Sequence, residues 1–351
     1  PLTFQTLSNN KVITDMFTID YTPDVHHISL AKKADLFVIA PATANVIAKV
    51  ANGIADDMLT TTFLASNCKK LIVPAMNTQM LMNPVTQDNI QKCKNYGMHI
   101  FESNSGYLAC GDVGKGRLPE PDEIEDKIKE VMEDDKFLTG KHILVTAGPT
   151  SEAIDPVRMI TNHSTGKMGY ALARAARNMG AHVTLVSGTK QIEDIRDVEM
   201  VHVTSAKDMA EAVLSRQNDM DCMILAAAVA DYTPVSVADN KIHKSEGEMS
   251  IPLKRTQDIL KTLGENKKDG QVLIGFSMET ENMVERTKEK LVKKKCDYIV
   301  ANNLKEKGAG FGTDTNIVTL ISKDHEEEFG ILSKYDTAVK ILKTCLKEKK
   351  A

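Results

Sequence analysis

The stretch "HILVTAGPTSEAIDPVRMITNHSTGKMGYALARAA" (142–176) decides the fold of the larger part of this chain. A short apolar run, 142–147, passes through a segment of turn residues into an alanine-rich helical pattern that begins near Gly166. That order describes a strand feeding a helix that packs back on its own sheet. The alternation continues downstream. Strands are expected at 182–187, 199–203, 222–229, 272–276, 297–301 and 316–321, and helices near 166–179, 206–216, 256–265, 281–295 and 335–348.

Upstream, from residue 34, the same alternation predicts strands at 34–40, 70–75 and 98–102. In "TANVIAKVANGIADDMLTTTFLAS" (43–66), Ile47, Val50, Ile54 and Met58 recur at three- or four-residue spacing, which predicts one helical stripe. "NSGYLACGDVGKGRLPEP" (104–121) carries four glycines and two prolines, so a mobile loop is expected there. A helix follows at 122–134. The charged "MEDDKFLTGK" (132–141) is the linker candidate, dividing the chain into 1–135 and 136–351. The expected class is α/β, with two doubly wound, mainly parallel-sheet domains.

Composition narrows the function. The 351 residues are 42% hydrophobic and 26% charged, as in folded water-soluble proteins. With 44 Lys plus Arg against 48 Asp plus Glu, the net charge of −4 gives no electrostatic reason to expect nucleic acid or an anionic membrane as partner. Any basic site must be local. Apolar runs such as "LFVIAPA" (36–42) and "MILAAAVA" (223–230) fall well short of the roughly 20 residues of a membrane-spanning helix. Six scattered cysteines without a CxxC pair argue against zinc and against a disulfide scaffold, and point to a reducing cytoplasm. The opening "PLTFQ" has neither an initiator Met nor a signal core, so a fragment lacking its true start is expected.

Several residues carry candidate chemistry, each with a plainer alternative. His27, just ahead of the strand at 34–40, can serve acid/base work, or it is a packed histidine. Thr43 and Asn45 in "APATAN" offer hydroxyl and amide groups where an open α/β sheet binds anionic cofactors, or Thr43 caps a helix. Asn77, in "PAMN" after the next strand, can grip a carboxylate or fill a turn. Cys110 stands amid the glycines, where a thiol suits a proton donor or nucleophile on a closing lid. In the second half, Ser164, Thr165, Gly166, Lys167 and Gly169 suit phosphate at a helix N-terminus, or close packing of helix on strand. They do not form a Walker A sequence. Ala227, Ala228 and Asp231 in "AAAVADY" admit a flat ring or phosphates, or the alanines simply pack; Lys241 and Lys244 can anchor a triphosphate or be solvated.

"HHISLAKKADLFVIAPATAN", "PAMN" and "ACGDVGKGR" resemble the motifs of the flavin-dependent cysteine decarboxylases. "GPT", "DPVR", "NHSTGKMG", "AAAVADY", "KIHK" and "GFSMET" resemble phosphopantothenate–cysteine ligase. Over essentially its whole length the chain resembles the bacterial bifunctional phosphopantothenoylcysteine decarboxylase/phosphopantothenate–cysteine ligases of coenzyme A synthesis. The resemblance implies a Rossmann-like ligase domain that joins phosphopantothenate to cysteine with CTP through an acyl-cytidylate. The FMN-bearing first domain would then decarboxylate the product to phosphopantetheine. Carried over by motif, His27 assists oxidation and decarboxylation, Asn77 holds the substrate carboxylate, and Cys110 protonates the enethiol. Thr43 and Asn45 fall at the FMN site. Asn162 contacts the carboxylate of phosphopantothenate and stabilises the acyl-nucleotide. Ala227, Ala228, Asp231 and Phe276 shape the CTP site, and Lys241, aided by Lys244, neutralises charge. Mg²⁺ or Mn²⁺ is expected with the triphosphate, its ligands unknown. "ANN" (301–303) and "GFGTDTN" (310–316) match later loops near the nucleotide. Family members begin with a strand and a Gly- and Ser-containing turn that helps bind the FMN phosphate, upstream of residue 1. A homo-oligomer is implied, with decarboxylase trimers and ligase dimers making a dodecamer. Two rivals are weighed: an NAD(P)-dependent Rossmann oxidoreductase, disfavoured because neither domain opens on GxGxxG, and a regulatory flavoprotein, which would not need Asn77, Cys110 and a complete ligase half together.

Overall fold

The computed structural model describes residues 1–16, 25–108, 111–243, 249–279, 283–303 and 315–347. The chain divides into two compact units, Pro1–Asp134 and Asp135–Ala351. In the second, the quoted stretch forms a strand at His142–Ala147 and a helix at Lys167–Asn178. Between them lies an antiparallel hairpin, Ser151–Ala153 with Met159–Thr161, which the apolar pattern did not announce because its strands are three residues long and half exposed.

The sheet of this unit places Glu199–His202, His182–Ser187, His142–Ala147, Cys222–Leu225, Val272–Glu279 and Tyr298–Asn303 side by side, all parallel. Val318–Ser322 and Glu326–Glu328 then add antiparallel strands at one edge. Counted along the chain, the parallel strands stand in the order 3-2-1-4-5-6 of a doubly wound sheet. Both faces are covered. Ile143 and Val145 join a cluster with Tyr170, Leu172 and Ile341, while Leu144, between them, joins Met209, Val213 and Leu263 on the opposite face. Burial on both sides is why these strands read as continuous apolar runs. Gly169 lets the helix approach: a Cβ there would stand 2.5 Å from the Ala147 Cβ.

The first unit has a narrower parallel sheet of Leu36–Ala42, Lys69–Pro74 and His99–Ile100. Ile39 and Ile72 pack with Ile47, Val50 and Ile90 on one face, and Leu71 and Val73 with Phe101 and Val131 on the other. Two expectations need correction. The stripe over 43–66 is two helices, Ala44–Asn52 and Met58–Ala65. Gly53 takes φ +71° and ends the first, and Asp57 starts the second with a capping box shared with Thr60. Ile54 therefore falls off the stripe and is 48% exposed.

The stretch 104–121 is no loop throughout. Asn104–Tyr107 and Val113–Arg117 pair as an antiparallel hairpin. The glycines that argued against a regular element allow it to dock. A Cβ on Gly116, at φ +123°, would stand 2.0 Å from the Met76 carbonyl oxygen, and one on Gly114 would stand 2.5 Å from the Thr78 hydroxyl. Met76 N–H instead donates to the Gly116 carbonyl at 3.0 Å.

Candidate functional site

The order of the second sheet reverses between His142–Ala147 and Cys222–Leu225. At such a reversal the loops beyond the strand ends part in opposite directions and leave a crevice. A cavity of about 690 Å³ opens there, lined by the helix N-terminus at Ser164–Gly169, the strand end at Leu225–Tyr232, the segment Arg255–Leu260, and Phe276. Ala227, Ala228, Asp231 and Phe276 are thus brought together. Main-chain bonds hold the strand end. Ala227 N–H donates to Thr146 Oγ1 at 3.1 Å, Ala228 N–H to the Gly148 carbonyl at 3.0 Å, and Ala230 N–H to Thr150 Oγ1 at 2.9 Å.

The lining carries Lys167, Arg255, Lys290, Lys294 and Lys334 against the carboxylates Asp231 and Asp258, a local excess of positive charge in a chain whose net charge is negative. Lys294 pairs with Asp258, which caps the helix Ile259–Asn266; Lys290 Nζ donates to Ser277 Oγ at 3.2 Å; Lys334 Nζ donates to Asn316 Oδ1 at 2.8 Å. Sequence reasoning missed Arg255, Lys290, Lys294 and Lys334. The i,i+4 spacing of Lys290 and Lys294 on the helix Met283–Lys294 is a signal, but it is submerged in "KEKLVKKK" (288–295). Asn302, also in the lining, is 7% exposed, and its Oδ1 has no hydrogen-bond partner.

Asn162 and Lys241 stand outside the lining of that cavity. Asn162 Nδ2 donates to the carbonyls of Ala228 (3.1 Å) and Val229 (3.4 Å), so the amide sits against the strand end that forms the cavity wall. A carboxylate ligand would compete with those carbonyls for the same donor. Lys241 is exposed on the loop after Pro234, and Lys244 lies outside the described residues. Among the described residues no group of three His, Cys, Asp or Glu side chains is arranged to hold a metal ion.

In the first unit, Thr43 and Asn45 stand at the carboxyl end of Leu36–Ala42, and Asn77 beyond that of Lys69–Pro74. The Ala75 N–H bond to the Ala42 carbonyl at 3.0 Å ties the two ends together. Both side chains also cap helices: Thr43 Oγ1 accepts from Val46 N–H at 3.4 Å, and Asn77 Oδ1 from Gln79 N–H at 2.8 Å. Asn77 Nδ2 faces Asp112 Oδ2 at 3.4 Å, which brings the hairpin to the strand edge. His27 is half-buried in the first turn of the helix His26–Lys33. Cys110 lies outside the described residues. An apolar groove of about 570 Å³ runs along Leu36–Val38 with Leu30, Met58 and Leu59, and none of the candidate residues lines it.

No helix among the described residues is long and apolar enough to cross a membrane. Residues 1–133 match the family model described as Flavoprotein, and residues 138–348 that of the DNA/pantothenate metabolism flavoprotein C-terminal domain. The chain is 52% identical over 347 residues to the coenzyme A biosynthesis bifunctional protein CoaBC of Bacillus subtilis (strain 168), covering 97% of this chain and 85% of that protein. It is 44% identical over 354 residues to a cysteine/cysteine sulfinic acid decarboxylase of an unknown prokaryotic organism, covering 99% and 98%. Of solved structures, the C-terminal domain of a coenzyme A biosynthesis bifunctional protein CoaBC superposes with a TM-score of 0.51 at 50% identity, covering 59% of this chain and 96% of that one. A flavoprotein unit followed by a pantothenate-metabolism unit, with a CoaBC relative 52% identical over 97% of the chain, means that the chain belongs to the CoaBC family of bifunctional coenzyme A biosynthesis enzymes.

Proposed function

We propose that the second unit joins 4'-phosphopantothenate to cysteine with CTP, and that the first decarboxylates the phosphopantothenoylcysteine formed to 4'-phosphopantetheine, in the cytoplasm. The observation that carries this is the basic cavity at the switch point, whose small residues leave room for a nucleotide and whose amines offer counter-charge to phosphates. Ala227 and Ala228 let a flat ring approach the strand end, with Phe276 and Asp231 bounding it. Lys290 and Lys294 balance the triphosphate, whose Mg²⁺ or Mn²⁺ arrives with the phosphates rather than on a protein cluster. Lys241, with Lys244, neutralises the charge that develops as carboxylate attacks phosphorus and later as amine attacks the acyl group. Asn162, held against Ala228, keeps the acyl-nucleotide at the strand end.

The donors in the first unit suit a flavin: a hydroxyl at Thr43, amides at Asn45 and Asn77, and a helix N-terminus, all at two strand ends tied by one hydrogen bond. FMN, when bound, would take two electrons from the cysteinyl thiol, which makes the electron sink for loss of carbon dioxide, and would give them back as hydride to the enethiol left behind. His27 moves a proton near neutral pH, the Asn77 amide orients the departing carboxylate, and Cys110 returns a proton to carbon. Assembly into decarboxylase trimers and ligase dimers belongs to the same proposal.

The test incubates the chain with FMN, phosphopantothenate, cysteine, Mg²⁺ and either CTP or ATP. Cytidylate release should require both other substrates, and carbon dioxide should follow it. Carbon dioxide from free cysteine or cysteine sulfinate, with neither nucleotide nor phosphopantothenate present, would replace this assignment with the activity named for the 44%-identical relative.

A further inference from the structure

The turn between the hairpin strands Ser151–Ala153 and Met159–Thr161 holds an ion pair that the reactions above do not use. Asp155 has a fully buried side chain. Its Oδ1 accepts from Val157 N–H at 2.8 Å and Arg158 N–H at 2.7 Å, and its Oδ2 from Arg158 Nε at 2.9 Å and Nη2 at 2.6 Å. The Arg158 guanidinium holds the carboxyl well below the usual carboxylate range. Two further bonds leave the turn. Ile242 N–H donates to Asp155 Oδ2 at 3.1 Å, and the Ile242 carbonyl accepts from Arg158 Nη2 at 3.0 Å. Ala238 N–H adds a bond to the Ile154 carbonyl at 3.0 Å.

The residue held by both its backbone groups is the neighbour of Lys241, and the hairpin that holds it leads directly into Asn162. Burying a charge pair costs desolvation, and an apolar pair could fill the same turn, but it would offer neither acceptor nor donor to a second backbone. A lysine on a free loop is loose in its main chain as well as its side chain, so fixing the main chain narrows where the ammonium can stand. We propose that Asp155 and Arg158 are positioning residues for ligation, gripping Ile242 so that the Lys241 ammonium is held in register with Asn162 and the Ala228 strand end. This rests on Lys241 taking part in the ligation proposed above.

In the full chain, Asp155→Asn keeps the size and removes the charge. Its kcat for cytidylate release should fall about tenfold or more, with the KM for CTP within roughly threefold of the parent. Combined with Lys241→Gln it should be no slower than Lys241→Gln alone, because a group that acts through Lys241 has nothing left to position. Ile242→Pro deletes one N–H donor and leaves the ion pair intact, and should reproduce the kcat loss even where Asp155→Asn does not fold. In Asp155→Asn, tryptic cleavage after Lys241, followed by mass spectrometry without substrates, should be faster; in Ile242→Pro, whose Lys–Pro bond trypsin does not cut, the same loosening is read as faster cleavage after Lys244. That readout is independent of which reaction the site performs, so absence of ligation in the parent chain and absence of the clamp are told apart. An unchanged kcat in a folded variant, losses that multiply in the double variant, or unchanged cleavage would each overturn the proposal.

Discussion

The two units solve the same problem with different amounts of sheet. In the second, six parallel strands provide an order reversal, and the crevice beyond it is walled by strand ends, one helix N-terminus and lysines from distant helices. In the first, the described sheet is three strands wide, and Thr43, Asn45 and Asn77 sit at two strand ends with a glycine-bearing hairpin laid against them. A wide doubly wound sheet makes a cavity from its backbone path, so small residues such as Ala227 and Ala228 suffice at the wall. A narrow sheet must bring chemistry in on side chains, and the closeness of the hairpin becomes the sensitive quantity.

The most forceful way to break this comparison is to silence each unit separately. Lys241→Gln should reduce CTP-dependent ligation by about 10²–10³-fold and leave carbon dioxide release from added phosphopantothenoylcysteine unchanged. Cys110→Ser should do the reverse, with a loss of about 10²–10⁴-fold in decarboxylation and normal cytidylate release. Equal loss of both activities in either variant would mean that the two sites are not independent. Lys290→Gln sharpens the account of the cavity: the KM for CTP should rise roughly tenfold, about the weight of one charge-assisted phosphate contact, with a smaller change in kcat.

Gly116→Ala addresses the hairpin. The new methyl meets the Met76 carbonyl at a backbone angle that L-residues rarely adopt, which should cost about 1–3 kcal/mol of docking. Faster hydrogen exchange at the Met76 amide and slower decarboxylation should appear together, with ligation unaffected. The smallest effect concerns acid. Asp57 is pulled down to about 2, chiefly by the Thr60 backbone N–H and then by the Lys49 ammonium. A carboxyl depressed in the folded state stabilises above its unfolded pKa of 3.8 and loses that contribution as pH falls towards 2. The stability of the first unit should therefore decline over that window. Asp57→Asn keeps a cap and should flatten the decline, an outcome read from thermal unfolding at pH 2 and pH 6.

Much of the second unit was legible because central strands such as His142–Ala147 are buried on both faces and helices such as Ala206–Leu214 and Ile259–Asn266 open on a capping Ser or Asp; Lys167–Asn178 fell where periodicity put it, while the strand from Cys222 ends at Leu225, short of the expected 229. The failures have physical causes. Periodicity ran through Gly53 because apolar spacing does not register a left-handed backbone, and glycine content hid the hairpin because its reason, closeness to Met76, lies elsewhere in the chain. Of the site, Ala227, Ala228, Asp231 and Phe276 converge on one cavity, while Asn162 meets its wall from outside.

By itself the sequence determined the alternation of strand and helix, the two-part family match and the residue types on hand for chemistry, since these depend on local periodicity and on motifs a few residues long. Only the tertiary structure decided which distant residues share a site. That Arg255, Lys290 and Lys334 face the Ala227 strand end, and that Asp155 grips the neighbour of Lys241 across 87 positions, follows from strand order and loop path. These are set by the packing of the whole sheet rather than by any single stretch of chain.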